Sequence, residues 1–233
     1  MSNLFFPKKN KANNFDVTVV GGGLTGSLMI YILLSNKNLS NIKICWIKPK
    51  EKNLSDDRVS FYNSANISKL SKISFFQNIA DKEITVIKEI HVLNEKQNKP
   101  LKWKKNPYMG FILKNKFVQK KLLDKIKNIT IYDSYVVKSV SDEFNRTITL
   151  QNGNVIYSNL VIAADGSNSN LRKISSIKYL SHQLNHLAIT GYLEIENSSD
   201  NIARQAFLKE GPIGLLPVMS KRKYVNFVWS VKK

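Results

Sequence analysis

A short buried-strand pattern running straight into a glycine triplet constrains this chain more than any other feature. Asp16 to Val20 (DVTVV) predicts the strand, and Gly21, Gly23 and Gly26 follow at the spacing G-x-G-x-x-G. An apolar helical run, Leu24 to Leu34, comes next. A second strand, Ile42 to Ile47, closes a βαβ unit of the usual size, about 30 residues. Each glycine meets its own demand in such a unit. Gly21 permits the tight turn, Gly23 lets the backbone approach a diphosphate, and Gly26 lets helix and strand pack closely. The helix start adds unbonded N–H groups and the positive end of the helix dipole. The candidate phosphate loop is therefore Gly21, Gly22, Gly23, Leu24, Thr25 and Gly26. A glycine-rich turn in some other α/β fold stays open at this point.

At 233 residues the chain can form one large domain or two small ones. Its 42% hydrophobic and 23% charged residues fit a globular protein and exclude disordered and fibrous classes. The longest apolar stretch, around Leu28 to Leu34, falls far short of the roughly 20 residues that span a bilayer. Lys8, Lys9 and Lys11 precede no continuous apolar core, so no secretory signal is expected. The single Cys45 allows no internal disulfide and fits a reducing, cytoplasmic setting, where it is expected to be an inert core residue.

The formal charge of +19 favours anionic partners. The lysines are spread over the whole length, however, as expected of residues filling exposed positions. Lys102-Trp103-Lys104-Lys105 and Lys221-Arg222-Lys223 read as solvated loops. No nucleic-acid motif accompanies the charge, so an anionic membrane surface is the expected partner rather than nucleic acid.

Along the chain, a polar stretch from Lys48 to Asp57 leads to Arg58 and a helix with Ile67, Leu70 and Ile73 on one face. Ile84 to Leu93 and Met109 to Leu113 predict strands joined by a polar loop, Asn94 to Asn106. Asn115 to Ile126 is amphipathic at helical spacing, with Phe117, Val118, Leu122 and Ile126 together. Short strands follow from Ile129 to Ala163, with turns at Asn145-Arg146 and Asn152-Gly153-Asn154. The last strand enters a second motif, LVIAADGSNSNLRK, in which Asp165 and Gly166 form a sharp turn. An Asp there can accept from ribose hydroxyls or order nearby backbone N–H groups; an ordinary Asp-Gly turn is the alternative. Leu187 to Ile195 and Tyr224 to Val231 predict strands, and GPIGLLP (Gly211 to Pro217) a stiff, proline-framed path.

Together these segments resemble the flavin-dependent aromatic hydroxylases of ubiquinone biosynthesis, relatives of para-hydroxybenzoate hydroxylase. DVTVVGGGLTG, DDRVSFYNSANISKLSKI, YMGFILKNKFVQKKLL and LVIAADGSNSNLRK carry the resemblance in order, with FLKEGPIGLLP a weaker fifth. The resemblance implies an α/β fold: a Rossmann-like FAD-binding domain with an inserted β-rich substrate domain. The expected boundaries are 1–83 and 114–179 for the cofactor domain, and 84–113 and 180–233 for the substrate domain. It further implies that the phosphate loop faces the FAD diphosphate and that Arg58, Asn115, Asp165 and Gly166 lie on the cofactor. Gly211, Pro212 and Pro217 would border the substrate side of the flavin ring.

Two departures stand out. The family places an acidic residue at the end of the second strand to hold the adenosine ribose, and Lys48 stands there. A lysine accepts no hydrogen bond, so either Glu51 substitutes or the site favours a phosphorylated ribose. The family's Gly-Asp motif and C-terminal helices have no counterpart up to Lys233, so the chain reads as the N-terminal two-thirds of such an enzyme.

The implied chemistry is FAD reduction by NAD(P)H, followed by transfer of one atom of dioxygen to an electron-rich, polyprenylated phenol. No metal is expected: His91, His182 and His186 have no ligand spacing and read as structural or surface residues. The implied partners are an aromatic, isoprenoid substrate, dioxygen, the inner face of an anionic membrane, and a multi-enzyme complex. Two alternatives differ in class. One is a non-catalytic nucleotide-binding remnant serving as an assembly partner, which Lys48 favours. The other is an NAD(P)-dependent dehydrogenase, against which the far-downstream Asp-Gly motif argues.

Overall fold

The computed structural model describes residues 13–49, 58–72, 74–76, 79, 83–96, 99–141, 146–196, 201–218 and 224–233. In chain order the elements are β1 (Asn14–Val20), α1 (Leu24–Ser35), β2 (Ile44–Ile47), β3 (Val59–Asn63), α2 (Ser64–Lys72), β4 (Thr85–Ile87), β5 (Glu89–Asn94) and β6 (Leu101–Lys104). Then come β7 (Gly110–Lys114), α3 (Asn115–Lys125), β8 (Thr130–Tyr132), β9 (Val136–Ser141), β10 (Arg146–Leu150), β11 (Val155–Ala163) and α4 (Asn170–Ile174). The last four are β12 (His186–Glu194), β13 (Ile202–Leu208), β14 (Gly211–Pro217) and β15 (Tyr224–Lys232). The architecture is mixed α/β, as the resemblance implies. Among the described residues no helix is long and apolar enough to cross a membrane.

The chain divides into two compact units, Met1–Leu54 with Gln119–Leu180, and Ser55–Val118 with Ser181–Lys233. The sequence expectation put residues 55–83 with the cofactor domain. The structure groups them with the second unit, because β3 pairs residue for residue with β7, from Val59 opposite Lys114 to Asn63 opposite Gly110. Helix α3 starts in the second unit and ends in the first.

In the first unit one sheet runs in the order β8-β2-β1-β11-β10-β9. The first four strands are parallel and the β11-β10-β9 end is antiparallel. Strand β1 lies inside the sheet and is buried on both faces from Val17 to Val20. Val17, Val19, Ile44 and Trp46 pack against Ile30 of α1 on one face, with Leu123 of α3 and Ile126 beside them. Phe15, Val20, Cys45 and Ile47 form a second cluster with Leu171 of α4. The parallel register carries the ends of β1 and β11 to one edge: Val20 pairs with Ala163, and the Ala164 N–H donates to the Val20 carbonyl at 2.7 Å. Both sequence motifs therefore begin at the same carboxyl edge, where open α/β sheets bind ligands.

The second unit holds a six-stranded sheet, β12-β15-β14-β13-β5-β6, and a three-stranded one, β3-β7-β4. Two sequence expectations change here, and one is made definite. The single strand predicted over Ile84 to Leu93 is two strands in different sheets. Lys88 and Glu89 both turn their N–H groups to the Asn201 carbonyl, so β4 pairs with β7 while β5 pairs with β13. The loop predicted over Asn94 to Asn106 contains β6, an exposed edge strand whose alternating lysines suit its unpaired side. The stiff, proline-framed path of GPIGLLP is strand β14. Its prolines sit at the second and last positions of β14, opposite Phe207 of β13 and Val225 of β15. Ile73, Asn145 and the Lys221-Arg222-Lys223 cluster lie outside the described residues.

Candidate functional site

The phosphate loop leaves β1 at Gly21, whose N–H donates to the Ile47 carbonyl of β2 at 2.8 Å. Gly21 has φ +122°, and a Cβ there would lie 2.2 Å from the Ala164 carbonyl oxygen. Only glycine lets the first motif touch the second. A Cβ at Gly26 would lie 2.0 Å from the Gly21 carbonyl oxygen, so α1 closes directly on the loop. Gly23 differs: no atom lies within 4 Å of the place its Cβ would occupy. It is the N-cap of α1, which has no side-chain cap, and the first intrahelical bond runs from the Ser27 N–H to its carbonyl. The N–H groups of Leu24, Thr25 and Gly26 precede that bond and have no intrahelical acceptor.

Asp165 anchors the opposite wall. One carboxylate oxygen, Oδ2, accepts from the Leu171 N–H at 3.0 Å. The hydroxyl of Ser169, the N-cap of α4, accepts from the Arg172 N–H at 3.0 Å. Of the two roles the sequence left open for Asp165, the structure shows the ordering of backbone N–H groups. The other oxygen, Oδ1, is buried and accepts nothing among the described residues. Leaving such a group unpaired costs about 1–3 kcal/mol. Gly166 continues the bend at φ +90° with open space where a side chain would be.

The loop and the bend enclose one cavity of about 440 Å³. Gly21, Gly22, Gly23, Leu24 and Thr25 line one side; Asp165 and Gly166 line another, with Asn168 and Asn170 beyond them. Ile47, Pro49 and the β8–β9 segment Ser134-Tyr135-Val136 complete it. That last segment escaped sequence reasoning, since its only mark is a short turn between two weak strands. Asn170 secures it by donating to the Val136 carbonyl at 2.8 Å.

The other candidates are not among the residues that line this cavity. Gly26 packs behind the loop rather than lining the cavity. The stem of Lys48 lies against Gly22, its ammonium stands 4.9 Å from the Trp46 ring centroid, and its N–H donates to the Tyr132 carbonyl. It supplies no acceptor, and Glu51 is outside the described residues. Arg58 and Asn115 belong to the second unit, where the Asn115 N–H donates to the Arg58 carbonyl and the Asn115 Oδ1 accepts from the Ser60 hydroxyl. Gly211, Pro212 and Pro217 are in β14; a side chain at Gly211 would meet the Ser230 carbonyl at 1.9 Å. His91 pairs with the Glu89 carboxylate at 2.9 Å.

No protein-family model matches the chain. In sequence it is similar to the mitochondrial ubiquinone biosynthesis monooxygenase COQ6 of Dictyostelium discoideum, 27% identical over 95% of this chain and 53% of that protein. Human COQ6 is 26% identical over 93% of this chain and 51% of its own length. The chain thus spans about half the length of the curated relatives it matches. In structure it is similar to p-nitrophenol 4-monooxygenase PnpA from Pseudomonas putida, with TM-score 0.77 and 15% identity over 94% of this chain and 58% of that one. PqsL of Pseudomonas aeruginosa, described as a probable FAD-dependent monooxygenase, gives 0.75 and 16% over 94% and 61%. The similarity in sequence is to the ubiquinone biosynthesis monooxygenases, and the similarity in fold is to these two monooxygenase structures. The fold is that of the flavin monooxygenases, with the glycine loop and the Asp-Gly bend brought to one cavity.

Proposed function

We propose that this chain carries the FAD-binding part of a flavin-dependent, NAD(P)H-using monooxygenase that hydroxylates a polyprenylated phenol in ubiquinone biosynthesis. The observation that carries this reading is the cavity shared by the glycine loop and the Asp165 bend. Its residues fit a dinucleotide. Space at Gly23 and the uncapped start of α1 suit a diphosphate. The unpaired, buried Asp165 Oδ1 is an acceptor for a ligand hydroxyl. When bound, FAD supplies the redox and dioxygen chemistry. The chain's own part is to hold the diphosphate on backbone N–H groups, to fix a hydroxyl at Asp165, and to keep the rim rigid through α4. Arg58 and Asn115 are proposed as further cofactor contacts, and Gly211, Pro212 and Pro217 as the substrate side.

The test is the visible spectrum of the purified chain after incubation with FAD and gel filtration. Retained flavin bands that bleach on addition of NADH or NADPH are expected. A colourless protein shifts the reading to a second one, a nucleotide-binding remnant, which the cation at Lys48 specifically favours.

Membrane docking belongs to the same proposal. An isoprenoid substrate resides in lipid, and β6 presents exposed Leu101 and Trp103 alternating with exposed Lys102 and Lys104. An interfacial aromatic flanked by cations suits the anionic inner face of a membrane, approached from the cytoplasmic side. Co-sedimentation with phosphatidylglycerol vesicles that weakens with salt is expected; binding indifferent to salt and lipid charge contradicts it.

A further inference from the structure

The carbonyls of the loop's three consecutive glycines, Gly21, Gly22 and Gly23, are each held by a side chain from a different element. Trp46 of β2 donates its indole N–H to the Gly21 carbonyl at 2.8 Å. Gln119 of α3 donates its amide to the Gly22 carbonyl at 2.9 Å. The Ser27 hydroxyl of α1 donates to the Gly23 carbonyl at 3.0 Å, beside the helical bond from its own N–H. Trp46 and Ser27 are fully buried and Gln119 is half-buried, so water competes poorly for these carbonyls.

The consequence follows from peptide geometry. A trans peptide sets its carbonyl and the next residue's N–H in opposite directions. Holding the Gly21 carbonyl therefore aims the Gly22 N–H away from Trp46. Holding the Gly22 and Gly23 carbonyls does the same for the N–H groups of Gly23 and Leu24. Those three residues, Gly22, Gly23 and Leu24, all line the cavity.

We infer that Trp46, Gln119 and Ser27 form a carbonyl clamp that presets the loop's N–H groups for an anionic diphosphate, resting on the nucleotide reading of the cavity. They are positioning residues, since they act through the loop. A glycine triplet is the most mobile backbone a chain can have, and ordering it on binding would weaken affinity. The clamp does that ordering during folding. None of the three is part of the G-x-G-x-x-G spacing, and Trp46 and Gln119 lie far from it in sequence.

The test measures ADP and adenosine binding to the full chain, by displacement of bound FAD fluorescence, in wild type, Trp46→Phe and Gln119→Met. Phe keeps a ring and Met keeps the length, while both lose the donor. Each variant is expected to weaken ADP about 5- to 10-fold and to leave adenosine within about twofold, because only ADP carries the diphosphate. Equal loss for both ligands, or no loss for either, overturns the clamp. If Trp46→Phe fails to fold, the half-buried Gln119→Met decides alone. If wild type binds neither FAD nor ADP, the nucleotide reading fails and the clamp falls with it, an outcome distinct from unchanged variants.

Discussion

Position 21 and position 23 are both glycine, two residues apart, for opposite reasons. Gly21→Ala would drive a methyl into the Ala164 carbonyl at positive φ, and is expected to cost about 2–4 kcal/mol in a urea melt. Gly23→Ala meets open space in ordinary backbone, so it should cost less than about 1 kcal/mol, yet place its methyl where a diphosphate would lie. The pair separates fold from function in one comparison. Cys45 is fully buried, and burial pushes its thiol from 9.0 up to about 12. The folded state then holds its proton more tightly than the unfolded one. That contribution to stability is complete below about pH 9 and is lost as pH rises toward 12. Melting temperature against pH reads it, with Cys45→Ala flattening the decline.

Among the elements, the first unit was the more legible in sequence. Its β1 and β2 are buried over most of their length, so runs bounded by turn residues gave β1, α1 and β2 to within two residues or so. The predicted amphipathic face of α3 buries Val118 and Leu122 as read. The second unit's errors share one cause: pairing is made by backbone, and side chains advertise it only where a face is buried. β6 is exposed throughout and lysine-rich, so it read as loop; β14 carries prolines, so it read only as a stiff path and not as a strand. Both glycine and Asp-Gly motifs were legible because backbone geometry demands those residue types. The Ser134-Val136 wall and the clamp residues were not, since an indole or amide donor has no fixed place in a sequence pattern. Hydrogen exchange should follow the topology. Amides of β1, central between β2 and β11, are expected to exchange slowest in the first unit, and those of exposed edge strand β12 fast in the second.

For the molecule as a whole, two motifs far apart in sequence line one cavity, proposed above as a dinucleotide site. The parallel pairing of β1 with β11 is what joins them, since it brings both strand ends to a single edge. The most direct measurement is a fluorescence titration of FAD into wild type, Gly23→Ala and Asp165→Asn in parallel. The asparagine still accepts from the Leu171 N–H, but turns the unpaired oxygen into a donor. Saturation at one equivalent in wild type, with both variants weakened about tenfold or more, is the predicted result. No saturable binding, or binding lost in Gly23→Ala but unchanged in Asp165→Asn, would contradict it.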